Sequence, residues 1–221
     1  MRILSFITFT IGILFFNACV SEKKPKKIVE KTVIKSNIKS PLDALTLKQL
    51  AVKNTFDLYL SQLKSFNTEA IIEMTYPKLF TVINGDIFKQ YISAMINSVD
   101  IKVVSYDTNI TKINSVTTVD DLIDFTKINY SSDVKILFLN QNLYNTEQGI
   151  NFLYDVLIHK YGKENIEINI KDRTLSIKKE EHMLAIKEKD SDWKFLGDNK
   201  EYRKLYTSIL PYEVLKILDK K

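Results

Sequence analysis

IFKQYISAMINSVDIKVVSYDTNITKI, residues 87–113, is the stretch in which the hydrophobic period changes. Phe88, Tyr91, Ile92, Met95, Ile96 and Val99 recur at i, i+3, i+4, i+7, i+8 and i+11. That spacing lines one face of an α-helix and predicts a helix over Ile87–Ser98. From Ile101 the period drops to two: Val104 and Tyr106 alternate loosely with Lys102 and Ser105, and β-branched residues continue to about Ile113. A chain that is helical before such a point and extended after it belongs to the α+β class, with helices gathered on a mainly antiparallel sheet.

Upstream, Thr46-Leu47-Lys48-Gln49 has the form of a capping box. It predicts a helix to about Lys64 whose stripe is Val52, Phe56, Tyr59, Leu60 and Leu63. Asn67-Thr68 caps a short second helix, Glu69–Thr75, which Pro77 ends or redirects, and Asn84-Gly85-Asp86 turns and caps the third. Downstream, Ile123–Tyr130 and Val134–Leu139 read as two strands separated by Ser131-Ser132-Asp133. An extra helix over Glu147–Tyr161, with Gly162 as its stop, interrupts the strands. Ile166, Ile168 and Ile170 then alternate, Lys171–Thr174 turns, and Leu175–Lys187 follows as a strand with a bulge expected near Lys179–His182, where the alternation loses step. Trp193–Leu196 is a last strand, and short helices are expected around Tyr202–Ile209 and Pro211–Leu218.

The N-terminus has a different character. After Arg2, residues Ile3–Phe16 form an apolar and hydroxyl-bearing run that ends at Asn17-Ala18-Cys19. This is the layout of a secretory signal peptide, and the run is short against the roughly 20 residues of a membrane-spanning helix. Phe16-Asn17-Ala18-Cys19 resembles a bacterial lipobox, although Phe16 and Asn17 stand where Leu and a small residue are usual. The resemblance implies an acylated Cys19 as the first mature residue. Cys19 is the only cysteine, so no internal disulfide can form. Cleavage by the ordinary signal peptidase, or an uncleaved anchor, are the alternatives. Between Cys19 and residue 43 runs a lysine-rich segment with Pro25 and Pro41 and neither helical nor strand period, read as a flexible basic leash. About 22 residues of leash would span roughly 25 Å on average and at most about 70 Å.

The expected organisation is therefore a signal peptide over 1–18, a lipidated Cys19 and leash over 19–43, and one α+β domain over 44–221. Such a length buries a core of ordinary size without disulfides. Of the formal net charge of +5, much sits on the leash, and the domain intersperses Lys with Glu. A nucleic-acid partner, which wants a basic stripe on the folded domain, is not expected. The expected partner is a lipid bilayer at the bacterial cell envelope, at the outer membrane facing the periplasm, together with a small apolar ligand or an envelope protein.

The opening helix, the second start at Asn67-Thr68-Glu69-Ala70 and the closing strand Asp190-Ser191-Asp192-Trp193-Lys194-Phe195 resemble the NTF2-like (cystatin-like, SnoaL-like) fold over about Leu45–Asn199. That resemblance implies helices seated in a curved, cone-shaped sheet with a pocket between them. Tyr59, Tyr91, Tyr106, Tyr130 and Trp193 are the residues expected nearest such a pocket, since aromatics with a polar tip suit a mostly apolar ligand site. The plainer reading makes them core and rim. Asp120, Asp121, Asp124, Asp190 and Asp192 are candidates for a general base in a small cone-fold enzyme of isomerase or cyclase type, against the plainer reading that they shape turns. His159 and His182 have no ligand-like spacing, so neither a metal nor a cofactor is expected. The favoured reading is a non-catalytic binding or interaction domain.

Overall fold

A computed structural model describes residues 42, 45–140, 147–199 and 203–218. The apolar N-terminal run, Cys19 and the leash before Leu42 lie outside the described residues.

Local capping sets the first three helices. In α1 (Leu47–Ser65) the Thr46 hydroxyl oxygen accepts from the Gln49 amide, while Gln49 Oε1 accepts from the Thr46 amide at 3.0 Å. Phe66, left-handed at φ 55°, ends the helix. Asn67 caps α2 (Thr68–Met74), a 3-10 turn follows over Pro77–Thr81, and Asn84 caps α3 (Gly85–Ile96) by accepting from the amides of Asp86 and Ile87.

Six strands follow in one antiparallel sheet: β1 (Ile101–Ile113), β2 (Thr117–Val119), β3 (Ile123–Phe138), β4 (Ile166–Asn169), β5 (Thr174–Glu188) and β6 (Lys194–Gly197). The long strands β3 and β5 pair continuously at the centre. β1 and β2 lie end to end along the outer edge of β3, and β4 and β6 along the outer edge of β5. α4 (Glu147–Tyr161) joins β3 to β4, and α5 (Arg203–Tyr206) and α6 (Tyr212–Leu218) close the chain, making six α-helices among the described residues. The class is α+β, as the change of period implies.

Because side chains alternate across a strand, the two rows of β3 and β5 face different layers. One face carries Ile128, Tyr130, Met183 and Ala185 at one end, packed under α1–α3 with Val52, Phe56, Ile71 and Ile92. At the other end of the same face Val134, Ile136, Leu175 and Ile177 pack under α4 through Leu153 and Leu157. The opposite face buries Phe125, Leu184, Ile186 and Leu196 beneath Tyr206, Ile209, Leu210 and Val214. Each such large apolar side chain stabilises the fold by about 1.5–3 kcal/mol through burial.

The structure corrects the strand reading in four places. β3 is one strand of 16 residues, with no turn at Ser131–Asp133. β5 has no bulge at Lys179–His182, since its register against β3 runs without a shift. These two corrections have one cause: Ser131 lies opposite Glu180 and Ser132 opposite Lys179, so polar residues read as interruptions pair with each other across the sheet. The irregularities fall instead on β1, between Val103 and Ser105 and between Ile110 and Lys112, and leave Val104 exposed. The short strand β2 has no counterpart in the sequence reading.

Candidate functional site

The inward row of β5 reads Leu175, Ile177, Lys179, Glu181, Met183, Ala185, so two charged residues occupy core positions. Lys179 is 7% exposed and Glu181 0%. They lie at the seam between the two apolar clusters of the helix-covered face. Burying charge is expensive unless it is paired and hydrogen-bonded. Here Lys179 Nζ donates to Glu181 Oε1 at 3.1 Å, and the Ser132 hydroxyl donates to Glu181 Oε2 at 2.9 Å. Burial pushes the Lys179 ammonium down to about 8 against the opposing pull of Glu181. Its Nζ also sits 5.8 Å from the centre of the Tyr161 ring at the end of α4.

Three tyrosines complete the cluster. Tyr59, from α1, is pushed up to about 12, by burial first and with Glu181 adding to it, and its hydroxyl is hydrogen-bonded to Thr75. Tyr106, from β1, is raised well above the ordinary range by burial and then by Glu181, and is hydrogen-bonded to Tyr130 of β3. Phe56 stands edge-on to Tyr130 at 5.3 Å and Tyr59 lies 5.0 Å from Phe195. The structure thus brings Tyr59, Tyr106 and Tyr130 together. Trp193 is buried in the same apolar cluster as Tyr59 and Tyr130, and Tyr91 lies half-buried on α3. Ser132 and Lys179 are not among the candidates expected from sequence, and Glu181 stands out there only as a neighbour of His182. The sequence marks Lys179 and Glu181 only through phase: once the strand is taken as continuous, Leu175 and Ile177 keep step with Met183 and Ala185 and put both charges in that row. Ser132, on β3, carries no such mark.

The aspartates sit elsewhere. Asp120 and Asp121 are exposed, left-handed residues (φ 49° and 55°) in the three-residue connection between β2 and β3, where the Leu122 amide donates to the Val119 carbonyl. Asp190 is left-handed at φ 63° in the turn before β6, and both it and Asp192 are exposed. Asp124 binds Lys48 at 2.9 Å; partial burial draws its carboxyl up, and Thr118 and Lys48 together hold it below the ordinary range. Asp198, unremarked in the sequence, is 2% exposed and takes Lys127 and Arg203, each at 2.7 Å. Burial raises its carboxyl, but those two cations outweigh burial and hold it low.

His159 is exposed on α4, and His182 Nδ1 lies 3.1 Å from Asn129 Oδ1 on the sheet face away from α1. Among the described residues no group of three or more His, Cys, Asp or Glu is placed to hold a metal ion. A groove of about 290 Å³ opens between α1 and β1, where Leu42, Leu60 and Ile110 meet Ser61, Thr108 and Asn109. Lys53, Asp57 and Lys64 also line it; Lys53 pairs with Asp57 at 2.7 Å, and Lys64 with Asp107 at 3.1 Å. None of the five aromatics and none of the cluster residues lines this groove. No family model, curated protein or solved structure matches this chain.

Proposed function

We propose that this chain is a lipid-tethered, non-catalytic binding domain of the bacterial cell envelope, held at the outer membrane, on its periplasmic side, by an acylated Cys19. The apolar run ending at Ala18-Cys19 supports the anchor, and no helix of the described residues is long and apolar enough to cross a membrane. Three helices packed against one face of the antiparallel sheet support an NTF2-like body. The observation that carries binding over catalysis is the location of the open recess. It lies between α1 and β1 and offers apolar, hydroxyl, amide and charged groups together, which suits a small apolar ligand with a polar end or a segment of an envelope protein. The five aspartates, by contrast, stand on or beside hairpin turns.

Two measurements test the reading. The intact mass of membrane-extracted protein is expected to show a chain that begins at Cys19 and carries acyl groups; a bare thiol, or another start, sinks the anchor. Photo-crosslinkers placed at Ser61 and Asn109 of the full chain are expected to label material that co-purifies with it. A second reading rests on Glu181, a buried carboxylate beside Tyr59 and Tyr106, in the place of the aspartate base of a cone-fold enzyme. Labelling from Tyr106 and not from Ser61 or Asn109 would favour that enzyme over the groove.

A further inference from the structure

We propose that Ser132, Lys179 and Glu181 act as a register lock for the central β3–β5 ladder. The ladder runs without interruption from Ile123 opposite Glu188 to Leu137 opposite Thr174. No tight turn joins its strands, because α4, a 3-10 turn and β4 intervene, so loop geometry does not set the register. A one-residue slip would turn both apolar rows outward, and the hydrophobic pattern forbids it. A two-residue slip keeps every inward residue inward, and apolar patterning alone does not forbid that.

The polar positions do. The inward row of β3 reads Ile128, Tyr130, Ser132, Val134, and in the observed register Glu181 stands opposite Tyr130 and Lys179 opposite Ser132. The two charged positions of one strand therefore meet the two polar positions of the other. Sliding by two residues one way sets Glu181 opposite Ile128 and takes it from the Ser132 hydroxyl; sliding the other way sets Lys179 opposite Val134. The Lys179–Glu181 pair lies within one strand and moves with it. The cost of a slip is therefore the loss of the Ser132 hydroxyl from Glu181 in the first case, and the placing of the Lys179 ammonium against Val134 in the second. A buried ion pair adds little stability over well-packed apolar residues, and selecting one register is its best-attested use.

The test is disulfide trapping in the full chain on the opposite sheet face, where Ser131 lies opposite Glu180. Ser131→Cys is combined with Glu180→Cys for the observed register, or with Lys178→Cys or His182→Cys for the two slips. Products are read by mass on tryptic peptides, so that bonds to Cys19 are scored apart. In the otherwise unchanged chain the observed-register pair is expected to oxidise about tenfold faster than either offset pair. With Ser132→Ala, Lys179→Met and Glu181→Leu together, the chain is expected to fold and an offset pair to come within about twofold of the first. Offset pairs that stay as slow as in the unchanged chain would overturn the lock. So would a triple variant without native circular dichroism, because a register lock requires a folded but less specific chain.

Discussion

At Lys179 a primary amine is held almost wholly out of water, and its removal is costly because Glu181 loses its cation. Lys179→Met is expected to destabilise the fold by about 3–5 kcal/mol, the cost of breaking a buried pair from one side. Lys48→Ala, which breaks an ion pair whose lysine side chain is 57% exposed, is expected to cost at most about 1 kcal/mol. Urea midpoints of the two variants give the comparison; equal shifts would remove Lys179 from the structural core. The same amine sets an alkaline signature. Its folded value of about 8 lies below the ordinary 10.5, so between those values the unfolded chain binds more protons and stability rises with pH. Tyr59 and Tyr76, both pushed to about 12 by burial first, reverse the sign above about pH 10, where the folded chain keeps protons that the unfolded chain loses. The urea midpoint is expected to peak between about pH 9 and 10, and Lys179→Met to abolish the rising limb while sparing the falling one. A profile already falling from pH 8 in the unchanged chain would contradict this.

Elements of this chain begin and end on local chemistry that single changes can probe. Thr46 satisfies an otherwise orphaned amide at the start of α1, and Thr46→Ala is expected to cost about 1 kcal/mol. At the far end of α4, Gly162 has φ 86°, and a Cβ built there would lie 3.0 Å from Glu164 Oε1. The carboxylate can swing away but the backbone cannot relax, so Gly162→Ala is expected to cost about 1–2 kcal/mol and Glu164→Ala not to rescue it. Thermal unfolding of the single and double variants measures both. Edges are managed as well: the Tyr76 amide donates to the Phe195 carbonyl at 2.8 Å, so the segment after α2 covers part of β6.

Over the whole molecule, one sheet carries two helical layers, and the smaller one is fastened by a polar tie. Asp198 follows β6, Lys127 comes from β3 and Arg203 opens α5, whose Tyr206 hydroxyl donates to the Gly197 carbonyl and accepts from the Asn199 amide. Because Asp198 is held low in the folded chain, its contribution is present above the ordinary carboxylate value of about 3.9 and is lost as pH falls through the folded value. Asp198→Asn is expected to flatten the acid limb of the stability profile and to speed amide exchange in α5 and α6 while leaving α1 protected. Uniform loss of protection would show that the C-terminal layer is not separately fastened.

Residue periodicity was enough to establish the α+β class, the capping box at Thr46, the α4 helix between strands and the turn character of Asp120, Asp121 and Asp190, because each depends on neighbours within a few positions. Tertiary structure alone decided that Ser131-Ser132-Asp133 is not a turn and that Lys179–His182 is not a bulge. Read locally, both segments look like interruptions, since nothing within either explains a polar residue on an apolar face. Ser132 and Glu181 are 49 positions apart, and only the paired strands bring the hydroxyl to the carboxylate. A polar side chain can occupy the interior when its partner is there too, and that partner is invisible to any window as short as a strand.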